Sequence, residues 1–531
     1  MLPLLFPLAL SHSVTLPQQW VDRFGARCLN GHAPTLEVAL NTSNTKWVLF
    51  LEGGGWCYGL NANATKSSCA GRAGGVWPPT ADGVWLGGSR EEHTSVSSAD
   101  IGGIMAQDCA LNPQFCEWNK MFLHYCDGAS FGGNRVEPIP IKTRKGAPAS
   151  MYIRGRSIFD AIIDYAKTAP AAGGLGMGAA TEVILSGGSA GGLAVFFNLD
   201  HLAALLPKSV RLTGFPDAGF FNDALDVTGV PTYRNNFIAS DPVWNVTGSG
   251  GTNAKCLAAQ VPGEAWKCLM AQYIAPHIET PLFVMNSLYD AWQMGNVLLT
   301  PCVPTAQPGA KVCAAATNAS VLAFRTNFIA LLEATVIGPN APGAARNGVY
   351  ADGCYVHEQN VDYCYGQSMP NCVGWSPNSA GSKKWGYTTS VAVADGRKLT
   401  PQEAFLAWYN GDKVAGVAID RANTFFNNPS CIYHGVPPVP TPAPGPPGTC
   451  TNFAGTYTYT SGKPSIVFTQ PGASCTGSAS GGGPTSFTVN GGVLTASAEF
   501  YHGLTGTLVP GSAVDVLLWA NGAKWTRPHR A

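Results

Sequence analysis

Residues 182–194 read "EVILSGGSAGGLA" and set Ser189 inside a G-x-S-x-G pattern, with an apolar run before it and a helical stretch, "LAVFFNLDHLAALLP", after it. With 63 glycines in 531 residues, such a pattern arises by chance in roughly one chain of this kind in two, so its neighbours must carry the argument. A serine nucleophile needs a base to take its proton and a carboxylate to orient that base. In doubly wound hydrolases the three follow in the order serine, acid, histidine. Asp290, in "NSLYDAWQ" just past the apolar run "PLFVMNS", is the candidate acid. The histidines beyond it are His357, His434, His502 and His529. The last two fall in a C-terminal segment and His434 abuts a proline-rich stretch, which leaves His357, in "GCYVHEQNVDYC" between Cys354 and Cys364, as the base. The plainer alternatives are a helix cap or surface carboxylate for Asp290 and a structural loop histidine for His357. An oxyanion hole needs backbone N–H groups that substrate can approach closely, and "KWVLFLEGGGWC" supplies Gly54 and Gly55, with the N–H of Ala190 completing the set. Trp56, and Asp127 with Ser130 in "YCDGAS", are further candidates for lining the site; turn formation is the competing reading of the last two. This chemistry requires no metal and no organic cofactor.

The elements that must hold these residues alternate. "KWVLFLEG", "KMFLHYC", "EVILS" and "PLFVMNS" read as buried strands, and "RSIFDAIIDYAK" places Ile158, Phe159, Ile162, Ile163 and Ala166 on one helical face. Alternation of this kind predicts an α/β fold, a mainly parallel sheet with helices on both faces. Ligands of such sheets sit beyond the carboxyl ends of the strands, where Ser189 and Asp290 fall.

The chain has 45% hydrophobic and 12% charged residues, with Lys+Arg and Asp+Glu balanced at 32 each. It can bury a large core, and it carries no field that would attract nucleic acid or an anionic membrane. Sixteen cysteines without paired C-x-x-C knuckles point to disulfides and an oxidising compartment. Acceptor triplets at Asn41, Asn63, Asn245 and Asn318 agree with a secreted or lumenal glycoprotein. Residues 1–15 read as a signal peptide that lacks the usual positive charge, and no apolar run elsewhere is long enough to span a bilayer. The expected organisation is an α/β domain carrying the serine site over 16–434, a proline-rich linker over 435–449 and a small antiparallel β domain over 450–531. In that last domain Trp519 and Trp525 serve either as carbohydrate-stacking platforms or as packing. A monomer is expected.

Several runs in one order resemble the pectin acetylesterase family, which also includes the Notum carboxylesterases. They are "LEGGGWC", "NPQFCEWNKMFLHYCDGASFGG", "LSGGSAGGLA", "PDAGFF", "NSLYDAWQ" and "GCYVHEQ", and the likeness spans roughly residues 20–435. The resemblance implies a secreted serine esterase of α/β-hydrolase-like fold with the triad Ser189, Asp290 and His357. "YCDGASF" and "YDAWQ" are more similar to the plant-type members than to the Notum branch. Two positions depart from the plant pattern: Gly188 and Glu358 stand where those members have cysteines. The linker and β domain are additional to the family core. Three activities follow as expectations: a polysaccharide O-deacetylase, a Notum-like deacylase acting on a fatty acyl group carried by a protein, and, in another class, a noncatalytic wall-binding or adhesion protein.

Overall fold

The computed structural model describes residues 10–76, 102–143, 145–300, 315–339, 343–360, 389–422, 428 and 430–431, together with the backbone of eight strands between 455 and 528. The linker over 435–449, His434, Cys364, Cys450, Cys475, and the side chains of Asn318, Trp519 and Trp525 lie outside the described residues. Two compact units are present, Met1–Leu299 with Ala323–His434 and Thr300–Leu322 with Gly435–Ala531. The second unit thus takes in residues 300–322, which the sequence reading placed with the α/β domain.

The first unit is built on a nine-stranded sheet. Its strands are β1 (Leu10–Thr15), β2 (Thr35–Leu40), β3 (Lys46–Leu51), β4 (Asn119–Leu123), β5 (Glu182–Gly188), β6 (Arg211–Asp217), β7 (Phe283–Met285), β8 (Gly348–Ala351) and β9 (Val417–Ile419). Their spatial order is β1-β2-β4-β3-β5-β6-β7-β8-β9. Strand β2 pairs antiparallel with both β1 and β4, and every pairing from β4 through β9 is parallel. This is the mainly parallel sheet expected from the alternating runs, in the α/β-hydrolase-like form that the family resemblance implies. Strand β1 occupies residues 10–15, which the sequence reading assigned to the leader, and pairs with β2 along its whole length.

The central strands are apolar on both faces because helices cover both sides. Phe50, Phe122, Phe215 and Phe283 join Phe405 and Tyr409 in one core cluster, and Phe215 stacks on Phe405 with ring centroids 4.1 Å apart. Helix α1 (Gly155–Lys167) buries the face read from its spacing, with Ile158, Phe159, Ile162, Ile163 and Ala166 all at 1% exposure or less. Helix α2 (Ala190–Leu205) is buried almost all round through its first ten residues, as an apolar sequence without a polar stripe requires. In register, Leu51 of β3 lies beside Gly187 of β5 and Leu123 of β4, so the loops after these strands leave one edge of the sheet together. Among the described residues no helix is long and apolar enough to cross a membrane.

In the second unit, eight antiparallel strands from Gly455–Tyr459 to Lys524–Pro528 form a closed barrel, a form that removes the exposed edges of a small sheet.

Candidate active site

Strand β5 ends in Gly188, α2 begins at Ala190, and Ser189 turns the chain between them at φ 54° and ψ −121°. A non-glycine residue holds this strained conformation only where its surroundings dictate it. Two glycines make the turn sterically feasible. A methyl group on Gly187 would lie 2.4 Å from the Gly191 carbonyl oxygen, and one on Gly191 would lie 2.0 Å from that of Leu51. The Ser189 N–H donates to the Asp217 carbonyl at 2.9 Å, which ties the turn to the end of β6.

Two further strand-end loops bring their side chains to this serine. His357 Nε2 lies 2.8 Å from Ser189 Oγ, and His357 Nδ1 lies 2.8 Å from Asp290 Oδ2. Asp290 also caps the helix α3 (Ala291–Asn296): its Oδ1 accepts from the Gln293 N–H at 2.8 Å, while Asn286 Nδ2 donates to its other oxygen at 3.3 Å. Asp290 therefore both caps α3 and contacts the His357 ring. The His357 loop is secured on both sides. Cys354 is disulfide-bonded to Cys431, and Asp217 Oδ2 accepts from the N–H groups of Gln359 and Asn360, both at 2.6 Å. Burial alone depresses the basicity of His357, but the charge and hydrogen bond of Asp290, with Glu358 and Asp217 nearby, raise its pKa above the ordinary histidine value. With Nδ1–H donated to the carboxylate, Nε2 is left as an acceptor facing the serine hydroxyl, the arrangement that lets an imidazole act as a base.

The glycine run after β3 supplies the third wall. Gly54 and Gly55 have φ values of 144° and 65°, accessible to glycine at little cost. Arg72 donates to the Gly54 carbonyl at 2.8 Å and the Tyr125 hydroxyl donates to that of Gly55 at 2.9 Å, so both carbonyls are held by side chains. Gly53, which sequence reasoning did not single out, packs against the serine: a methyl group on it would lie 2.8 Å from Ser189 Cβ. The two positions that depart from the plant pattern meet there too, since the Gly188 carbonyl oxygen and Glu358 Oε1 lie 2.4 and 3.1 Å from the same point. Ser130 braces the site, accepting from Trp56 Nε1 and donating to the Ala190 carbonyl, both at 2.7 Å. Asp127 has a different place. It is fully buried, accepts from the N–H groups of Ala129 and Phe131 at 3.1 Å and packs where a methyl on Gly155 would stand; burial, partly offset by these bonds, pushes its carboxyl up to about 7. It closes a turn. Asp217, Tyr125 and Arg72 were also missed, because each acts through backbone groups remote in sequence.

Beside His357 the space is walled by rings. Trp56 sits 4.8 Å from Phe221, 5.0 Å from Phe237 and 5.3 Å from Trp292, centroid to centroid. Phe221 and Trp292 in turn lie 6.2 and 6.3 Å from the His357 ring. Trp292 is 8% exposed and the others less. Rings at these separations are in mutual contact.

The sequence profile of the pectinacetylesterase family matches residues 10–431. The chain is similar to pectin acetylesterase 5 of Arabidopsis thaliana, at 32% identity over 349 residues that cover 64% of this chain and 71% of that protein. It is also similar to pectin acetylesterase 11 of the same plant, at 31% identity over 63% of this chain and 77% of the relative. A palmitoleoyl-protein carboxylesterase, NOTUM of Schmidtea mediterranea, is more distant, at 27% identity over half of this chain and 47% of its own length.

Proposed function

The chain belongs to the pectinacetylesterase family, and from that premise we propose that it is a secreted serine esterase that removes acetyl groups from a cell-wall polysaccharide such as pectin. It is a carboxylic ester hydrolase, as its relatives are. The observation that carries the assignment of roles is the pair of 2.8 Å contacts linking Ser189 to His357 and His357 to Asp290 at the carboxyl edge of the sheet. Ser189 Oγ attacks the ester carbonyl as His357 Nε2 takes its proton, and Asp290 stabilises the imidazolium. The oxygen that turns negative is received by the backbone N–H groups of Gly54, Gly55 and Ala190. Collapse expels the sugar hydroxyl, which takes the proton from His357, and leaves an acetyl group on Ser189. Water, activated by the same imidazole, then releases acetate.

The ring-filled wall beside His357 supports a short acyl group over a fatty one. The five disulfides among the described residues, such as Cys28–Cys126 and Cys256–Cys268, support an oxidising, extracellular setting. The esterase core up to 434, the linker and the barrel of unassigned role form the domain organisation we propose. The test is hydrolysis of nitrophenyl esters from acetate to palmitate by the protein and its Ser189→Ala variant, followed by acetate release from acetylated pectin. Ser189-dependent activity greatest on acetate and on pectin is expected. A maximum at long chains moves the assignment to protein deacylation, and no Ser189-dependent turnover on any ester removes the catalytic reading in favour of a binding protein.

A further inference from the structure

The residue directly after His357 is a glutamate in a left-handed backbone conformation, φ 64°, which side chains other than glycine adopt at a cost. Glu358 is 7% exposed. Its Oε1 lies 3.1 Å from the point where a methyl on Gly53 would stand, a point also 2.8 Å from Ser189 Cβ and 2.4 Å from the Gly188 carbonyl oxygen. The carboxyl therefore fills the corner shared by the oxyanion loop, the nucleophile turn and the histidine loop. A negative charge held in a buried corner beside other carboxyls is costly, so the corner suits a neutral acid. The charged groups that face it are His357 on its own loop, Asp217 at the end of β6, Asp290 at the start of α3 and Glu52 at the end of β3. Burial, opposed by His357 and reinforced by the three other carboxyls, pushes its carboxyl up to about 8.

We propose that Glu358 is a positioning residue for the catalytic base: its neutral side chain wedges the His357 loop against Gly53 and the Ser189 turn, and its ionisation weakens catalysis. The inference rests on the proposed roles of Ser189 and His357. A carboxylate in this corner opposes the negative charge that develops on the ester oxygen next to the glycine loop. A serine-histidine-aspartate site without such a group loses activity only on the acid side, where the imidazole takes up a proton. Here activity falls on the alkaline side as well.

The experiment is the pH dependence of kcat/KM on nitrophenyl acetate, over roughly pH 5 to 9.5, for the full chain and its Ser189→Ala, Glu358→Gln and Glu358→Ala variants. The unmodified protein is expected to rise, peak and decline above about pH 8. Glu358→Gln, neutral and of the same shape, is expected to keep neutral-pH activity within about threefold and to replace the decline by a plateau. Glu358→Ala, which empties the corner, is expected to lose activity at every pH while remaining folded. A plateau in the unmodified protein, a decline retained by Glu358→Gln, a folded but inactive Glu358→Gln or a fully active Glu358→Ala each overturns the inference. Failure of the catalytic reading is separate, since it shows as activity that survives Ser189→Ala.

Discussion

Replacing Gly53 by alanine isolates the contact between the oxyanion loop and the nucleophile. The added methyl would stand 2.4 Å from the Gly188 carbonyl oxygen, 2.8 Å from Ser189 Cβ and 3.1 Å from Glu358 Oε1. Non-bonded heavy atoms settle near ~3.5 Å, so relief demands a displacement of about 1 Å. Two of the three neighbours are backbone or the nucleophile's own first carbon, and rotating a side chain relieves neither. Either the glycine loop or the Ser189 turn must move. A misplacement of about 1 Å costs on the order of 10²-fold in rate, equivalent to about 2.7 kcal/mol of transition-state stabilisation. Overpacking takes a further 1–3 kcal/mol or so from stability. The assay is kcat/KM on nitrophenyl acetate beside a thermal melt. Gly295→Ala is the matched control, because that exposed helical glycine has open space around its Cα and alanine there is expected to be neutral or stabilising by up to ~1 kcal/mol. A folded Gly53→Ala protein with activity within about threefold of the parent would refute the steric reasoning.

Other perturbations follow from the same framework. Asp217→Ala deprives two buried N–H groups, those of Gln359 and Asn360, of their acceptor; about 2–4 kcal/mol of stability should go, together with turnover, and a denaturation midpoint equal to the parent's would count against it. Cys431→Ser opens the bond to Cys354, whose partners are 77 residues apart in sequence; the chain-entropy model puts the loss at about 4 kcal/mol, readable by denaturant unfolding, and a loss under ~1 kcal/mol would contradict it. Because activity needs neutral His357 and its pKa is raised, kcat/KM should fall as pH drops, with a midpoint above the ordinary histidine value. Asp290→Asn should lower that midpoint and cut turnover by roughly 10⁴-fold, so an unchanged acid limb would be decisive against the pairing. Trp292→Ala removes a ring from the wall beside His357 and should shift the preferred acyl group from acetyl toward butyryl or longer in the ester series.

Local pattern was legible in the sequence. The strand-serine-helix turn stood out because apolar runs flank it, and chain order restricted the choice of partners to residues, Asp290 and His357, that the structure places in contact with it and with each other. Positions chosen by packing were hidden. Nothing in "EGGGW" tells Gly53 from Gly54 or Gly55, since only the approach of Ser189 distinguishes them. Asp217 works on backbone groups 142 and 143 residues away. Asp127 was a candidate for lining the site because it sits near a strand end, yet its carboxylate is spent on its own turn. Strand β1 was read as leader because its residues continue an apolar N-terminal run, and its pairing with β2 is visible only in the sheet. In the barrel, Thr476–Ser480, Thr505–Val509 and Lys524–Pro528 lack clean alternation of apolar residues, so the sequence announces a small antiparallel β domain without announcing all eight strands.

The bond from Cys354 to Cys431 also bears on when, during its manufacture, this protein becomes an enzyme. Ser189 and His357 are 168 residues apart, and the anchor of the histidine loop lies further on, near the close of the core. Chains fold in order as they leave the ribosome, so the serine turn can form while its base is still untethered. Only once Cys431 has been made and oxidised can the loop be locked. Between residues 189 and 431 the growing chain thus carries the serine turn with no locked histidine loop beside it. On the proposed roles, catalytic competence and completed oxidation of the core arrive together.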